Sequence, residues 1–185
     1  SMNSRKALKS DTVAERARDI EKRYGIPGDA RRVLIFCESS HWDLNWMYTS
    51  EIYYQIRIRR IFGRIIKELR KNRHRVFSIE CIFFLKMYWE RNPRKRETLR
   101  RLVNEERIRL TGSGFTTPDT TLPDTEAIIR DYLMGQEWLR QNGMFQEPRL
   151  AYLPDNFGNS PALPSILRSL GYEYTAVSRI DGMYF

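Results

Sequence analysis

Five short apolar runs, separated by stretches of helical period, constrain this chain more than any other feature. The runs are Val33–Phe36, His74–Ile79, Arg107–Thr111, Arg149–Leu153 and Glu173–Val177. Val33-Leu34-Ile35-Phe36 is apolar without alternation, which suits a strand covered on both faces. Between the runs, residues 49–70, 82–91, 93–106 and 124–142 have helical spacing, and a further short helix ends at Gly171. Asn92 and Asp124 read as N-caps, with Pro93 in a first turn. Ahead of all this, residues 11–24 read as a helix that starts after Ser10 and stops at Gly25 before Pro27. Strands joined by helices predict an α/β fold with parallel strands and right-handed crossovers, either open or curved into a barrel.

Length adds a bound, because 185 residues make room for one ordinary domain. We divide it into a tail and helix over residues 1–30 and a β/α domain over 31–185. With 41% hydrophobic and 30% charged residues, the chain has the balance of a globular protein and not of a disordered one. No apolar run approaches the roughly 20 residues that cross a bilayer, and the start lacks the apolar segment of a secretion signal, so the expectation is a cytoplasmic protein with no membrane partner. Cys37 and Cys81 form no disulfide framework and read as small buried hydrophobes. The formal charge of +9 attracts polyanions.

The chemistry-bearing residues fall at one place in the pattern. His41 and Asp43, Glu80, Asp119 and Asp155 all lie at or just after the end of a predicted strand, and in α/β proteins loops at the carboxyl ends of parallel strands converge on a cleft. His41 and Asp43 form an H-x-D pair whose i, i+2 spacing on extended chain points both side chains one way. With Asp155 as a third ligand they would make a mixed nitrogen and oxygen site of the kind zinc accepts. Each residue also has a plainer reading. Asp155 and Asp119 serve as turn residues, Glu80 as a helix cap, and Trp46 and Phe157 as core aromatics.

Taken together, three blocks resemble the catalytic domain of glycoside hydrolase family 38, the class II α-mannosidases. They are His41-Trp42-Asp43-Leu44-Asn45-Trp46, Gly112-Ser113-Gly114-Phe115 with Pro118-Asp119, and Tyr152-Leu153-Pro154-Asp155-Asn156-Phe157-Gly158-Asn159-Ser160, and the similarity runs from about Arg32 to Val177. The resemblance implies that His41, Asp43 and Asp155 bind Zn2+ or another divalent cation, and that Asp155 is also the nucleophile. It implies sugar contacts from Trp46, Phe157 and Asp119, an α-mannoside or related carbohydrate as substrate, and retention of configuration. The family fold is a seven-stranded parallel β/α barrel, so the expectation here is a partial (β/α)7-type barrel of about five strands.

Several positions depart from the family pattern. Its fourth zinc ligand is a His well beyond the nucleophile, whereas the second His here is His74, upstream of Asp155. Its acid/base carboxyl group also lies downstream, where this sequence offers Glu173 and Asp181, and neither matches the motif. Five strands do not close a seven-stranded barrel. The expectation is therefore the N-terminal part of a catalytic domain or a truncated homologue, completed by self-association or by a complementary chain. Two rivals are weighed beside the hydrolase. A metal-dependent carbohydrate deacetylase wants two closely spaced His, which are absent here. A non-enzymatic polyanion-binding module would use Arg57–Arg60, Lys67–Arg75 and Arg91–Arg101, but these runs lie mostly on predicted helices without interleaved aromatics, which argues against nucleic acid.

Overall fold

The structure is a computed structural model that describes residues 13–34 and 38–178. The chain forms two compact units, Ser1–Phe36 and Cys37–Phe185. The first carries helix α1 (Val13–Tyr24), with Glu15 in its first turn and Lys22 and Arg23 in its last, charges that complement the helix dipole. It ends as expected at Gly25, where Ile26 N–H bonds back to Glu21 O at 2.8 Å and closes the last turn. The predicted cap, Ser10, lies outside the described residues.

The second unit contains five parallel strands in two small sheets. The first has the order β1 (Glu38–Ser39), β2 (Phe77–Cys81), β3 (Ile108–Gly114), and the second pairs β4 (Leu150–Leu153) with β5 (Tyr174–Val177). Helices connect them: α2 (Ser50–Tyr53) runs through one π turn (Tyr54–Ile58) into α3 (Arg59–Lys71). After them come α4 (Ile82–Arg91), a 3-10 turn (Pro93–Lys95), α5 (Arg96–Asn104), α6 (Thr125–Gln141) and α7 (Leu163–Ser169). No helix of the described residues is long and apolar enough to cross a membrane.

Two expectations need correction. Val33 and Leu34, expected to open a buried strand, are 50% and 91% exposed and lie outside any strand, while Ile35, Phe36 and Cys37 fall outside the described residues. Among the described residues the first pairing is of Glu38 with Phe77, where the Arg75 guanidinium grips the Glu38 carboxylate at 2.9 Å. The third run, expected to end at Thr111, continues as β3 through Gly112–Gly114. A Cβ at Gly112 would stand 1.9 Å from the Glu80 carbonyl oxygen, so only glycine permits the close passage of β3 beside β2, where their register shifts.

Each sheet has its own apolar core. Along α2 to α3, Tyr54, Ile58, Phe62, Ile65, Ile66 and Leu69 recur at helical spacing and pack, with Phe84, Leu85 and Leu99, on the buried strand β2. A smaller cluster gathers Ile128, Tyr132, Leu153, Leu163, Ile166 and Leu167 around β4. Between the sheets, side chains take the place of a ladder. Gln146 accepts from Leu110 N at 3.1 Å and donates to Val103 O and Ile108 O, and Tyr172 Oη donates to Gly112 O at 3.1 Å. Cys81 is the buried small residue expected, its thiol pushed up to about 12 by burial.

Candidate metal centre

The site is built from the ends of β1, β2 and β4. Beyond Ser39 the chain leaves the strand, and Trp42, 4% exposed, turns into the first core against Phe62 and Phe84 at ring distances of 5.2 and 5.9 Å. Alternation along the segment then sends His41 and Asp43 the other way. Trp42 thereby anchors the H-x-D pair.

Glu80, near the end of β2 and 3% exposed, fixes that pair. Its carboxylate accepts from Trp42 N at 2.7 Å and from His41 Nδ1 at 3.0 Å. A buried carboxylate can only accept, so Nδ1 carries the proton and Nε2 presents its lone pair outward in the neutral ring. Sequence reading placed Glu80 at the right strand end but offered a helix cap as its plain role. The cap position of α4 is Cys81, with no side-chain cap bond. The available signal was an ionisable residue inside an otherwise small or apolar strand, Phe77-Ser78-Ile79-Glu80-Cys81.

His41 Nε2 faces Asp43 Oδ1 and Asp155 Oδ2, both at 3.6 Å. These separations exceed hydrogen bonds, yet they are close to the roughly 3.4 Å between ligands that each sit about 2.1 Å from one tetrahedral cation. The three residues each offer a ligand atom, all within 4.8 Å of one another. The Glu80 hydrogen bond, with the charges of Glu80, Asp43 and Asp155, raises the His41 pKa against the opposing effect of burial. Three carboxylates around one imidazole leave excess negative charge that a divalent cation would offset, so the donor set fits a metal.

Asp155 reaches the cluster from the other sheet because its loop is latched. Asn156 Nδ2 donates to Pro118 O, and Phe157 N donates to Asp119 Oδ1 at 2.7 Å. The Thr120 hydroxyl, on a side chain 1% exposed, donates to Gly158 O at 3.3 Å and accepts from Ser160 N at 3.0 Å. Gly158 takes φ +82°, and a Cβ there would meet Thr121 Oγ1 at 2.3 Å. Asp119 is thus a brace between loops. Trp46 and Phe157 are 76% and 52% exposed, so neither is a core aromatic. His74 lies in the turn before β2, with its Nε2 beside Arg73, and Glu173 pairs with Arg149 at 3.1 Å. Neither joins the cluster, and Asp181 lies outside the described residues.

Known proteins share this arrangement of sequence and fold. The chain is 30% identical over 152 residues to "Alpha-mannosidase 2" of Spodoptera frugiperda and 32% identical over 142 residues to "Alpha-mannosidase 2" of Arabidopsis thaliana. These matches cover 81% and 76% of this chain but only 13% and 12% of the relatives, so the chain spans about an eighth of their length. An α-mannosidase structure from Enterococcus faecalis V583 superposes with a TM-score of 0.67 at 23% identity, over 76% of this chain and 16% of that one, a likeness of fold. Residues 33–182 match the sequence profile described as the glycosyl hydrolases family 38 N-terminal domain, and with the latched strand-end cluster inside that span the chain belongs to glycoside hydrolase family 38.

Proposed function

We propose that this chain supplies the metal-binding, nucleophile-bearing part of a retaining α-mannosidase site, on five consecutive strands of a (β/α)7-type barrel. The observation that carries the reading is the His41, Asp43 and Asp155 cluster, whose ligand atoms lie within 4.8 Å of one another. Parallel strands joined throughout by helices support the barrel arc.

A bound Zn2+ would supply Lewis acidity toward two adjacent sugar hydroxyls and hold the ring for distortion. Asp155 directs Oδ2 toward His41, and one oxygen of its carboxylate attacks the anomeric carbon. That oxygen forms the new bond to C1 as the glycosidic C–O bond breaks, and water later displaces the carboxylate with the second inversion. The leaving oxygen takes its proton from a carboxyl group about 5–5.5 Å from the nucleophile in a retaining site. With Glu173 engaged by Arg149, we assign that acid, and a fourth ligand, to residues beyond those described, in this protein or a complementary chain. Trp46 and Phe157 offer exposed rings to the apolar face of the sugar, and Asp119 holds Phe157 in place.

The test is Zn2+ titration of the purified chain beside hydrolysis of an aryl α-mannoside. Stoichiometric binding should vanish in Asp155→Ala and weaken about 10–100-fold in Glu80→Gln, which keeps the shape but loosens the grip on His41. Leaving-group release should stop with chelator wherever the complete site is assembled. Binding that is indifferent to both substitutions would reject the metal centre.

A further inference from the structure

A second feature lies at the opposite ends of the strands. In a β/α repeat the helices run back to where the strands begin, so the end of α3 and the 3-10 turn after α4 sit away from Glu80 and His41. There, a cleft of about 540 Å³ is lined by Lys67, Arg70 and Lys71 of α3, Tyr88 of α4 and Lys95 of the turn. Gly63 and Ile66 complete its wall. Its size is that of a small-molecule pocket.

Three observations give it a ligand class. First, Lys71 is partnered by Glu68, whereas the side chains of Lys67, Arg70 and Lys95 have no hydrogen bond or ion pair among the described residues. Cations of a folded surface are commonly neutralised by neighbouring acids, as α3 does for Arg75 through Glu68. Second, Tyr88 is 3% exposed and stacked on Phe62 at 4.8 Å, yet its hydroxyl has no protein partner and is not sealed away from the cleft. Burial raises the Tyr88 pKa, so the phenol keeps its proton and can donate. Third, Gly63 stands in the middle of α3, where glycine costs about 1 kcal/mol relative to alanine. No atom lies within 4 Å of where its Cβ would be, so packing does not demand the glycine, and its missing side chain leaves the wall open.

We infer that this cleft binds a phosphorylated small molecule of sugar-phosphate size, its phosphoryl oxygens held by Lys67, Arg70 and Lys95 and by a hydrogen bond from the Tyr88 hydroxyl. A phosphate dianion matches three unpaired cations better than a sulfate monoester, and the remaining volume takes the body of the ligand.

Calorimetric titration of the 185-residue chain with glucose 6-phosphate, glucose 6-sulfate and glucose tests this. The phosphate should bind, the sulfate more weakly, and glucose not at all, with affinity falling as salt screens the charges. Lys67→Gln with Arg70→Gln should weaken binding by about 100-fold and Tyr88→Phe by about tenfold. Gly63→Leu should fill the cleft and abolish binding while the melting temperature holds or rises, which separates blockage from unfolding. No binding at millimolar phosphate, or binding that these variants leave intact, would overturn the inference. So would loss of binding in His41→Ala, since the anion would then sit at the metal centre.

Discussion

The two sheets of the second unit are built differently, and the candidate metal centre is shared between them. Around β1, β2 and β3 the packing is aromatic and extensive, with Trp42 against Phe62 and Phe84, and Phe62 against Tyr88. Around β4 and β5 the core is smaller and mostly aliphatic. His41 and Asp43 belong to the first region and Asp155 to the second, and the seam between regions is a set of side-chain hydrogen bonds. The geometry of the cluster therefore depends on polar contacts that are individually modest but expensive to leave unmade.

Breaking the stronger region should have the largest effect. Trp42→Ala removes a buried aromatic anchor and should cost about 3–5 kcal/mol in urea unfolding, with metal binding lost alongside. The reverse experiment clamps both regions together: a divalent metal at 100 times its Kd should add about 2.7 kcal/mol, read as a raised melting temperature and slower hydrogen exchange in β4. Asp155→Asn should erase most of that gain, and an equal gain in the variant would place the metal elsewhere.

The seam can be loosened without touching either core. Gln146→Leu strands Leu110 N, Val103 O and Ile108 O, and should cost about 1–3 kcal/mol while weakening metal affinity from a distance. An unchanged affinity would mean that the latch at Thr120 and Asn156 is enough to place Asp155.

The smallest effect concerns pH. Asp131 of α6 accepts from Thr116 N at 3.1 Å and Thr116 Oγ1 at 2.7 Å across the same seam, and burial, the dominant influence, raises its pKa. Because the folded-state value is raised, its contribution is fully present below the ordinary aspartate pKa and is lost as pH rises through the folded value. Stability should thus decline modestly from the ordinary aspartate range upward through that value, and Asp131→Asn should flatten this part of the profile.

Much of this was legible in local signals. Asp124 caps α6 as expected, accepting from Ala127 N at 2.7 Å, and Pro93 opens the turn before α5. The five strands appear in order because each run of apolar residues needs cover that neighbouring helices provide. Val33 and Leu34 of the first run lie outside any strand while Glu38 and Ser39 are paired, because a strand needs a neighbour's ladder groups and hydrophobicity carries no register. The third run stops at Thr111 in the sequence because nothing along the chain near Gly112 reveals the Glu80 carbonyl against it.

By itself the sequence determined the order of elements, the strand-end positions of His41, Asp43 and Asp155, and the basic character of α3, all properties of spacing and residue type. Only the tertiary structure decided that Glu80 would fix the His41 tautomer and that the 3-10 turn would bring Lys95 to Lys67 and Arg70. It also decided how near the ligand atoms of His41, Asp43 and Asp155 come, all within 4.8 Å of one another. Such meetings depend on how separate layers pack, and a chain records that only through the sum of its long-range contacts.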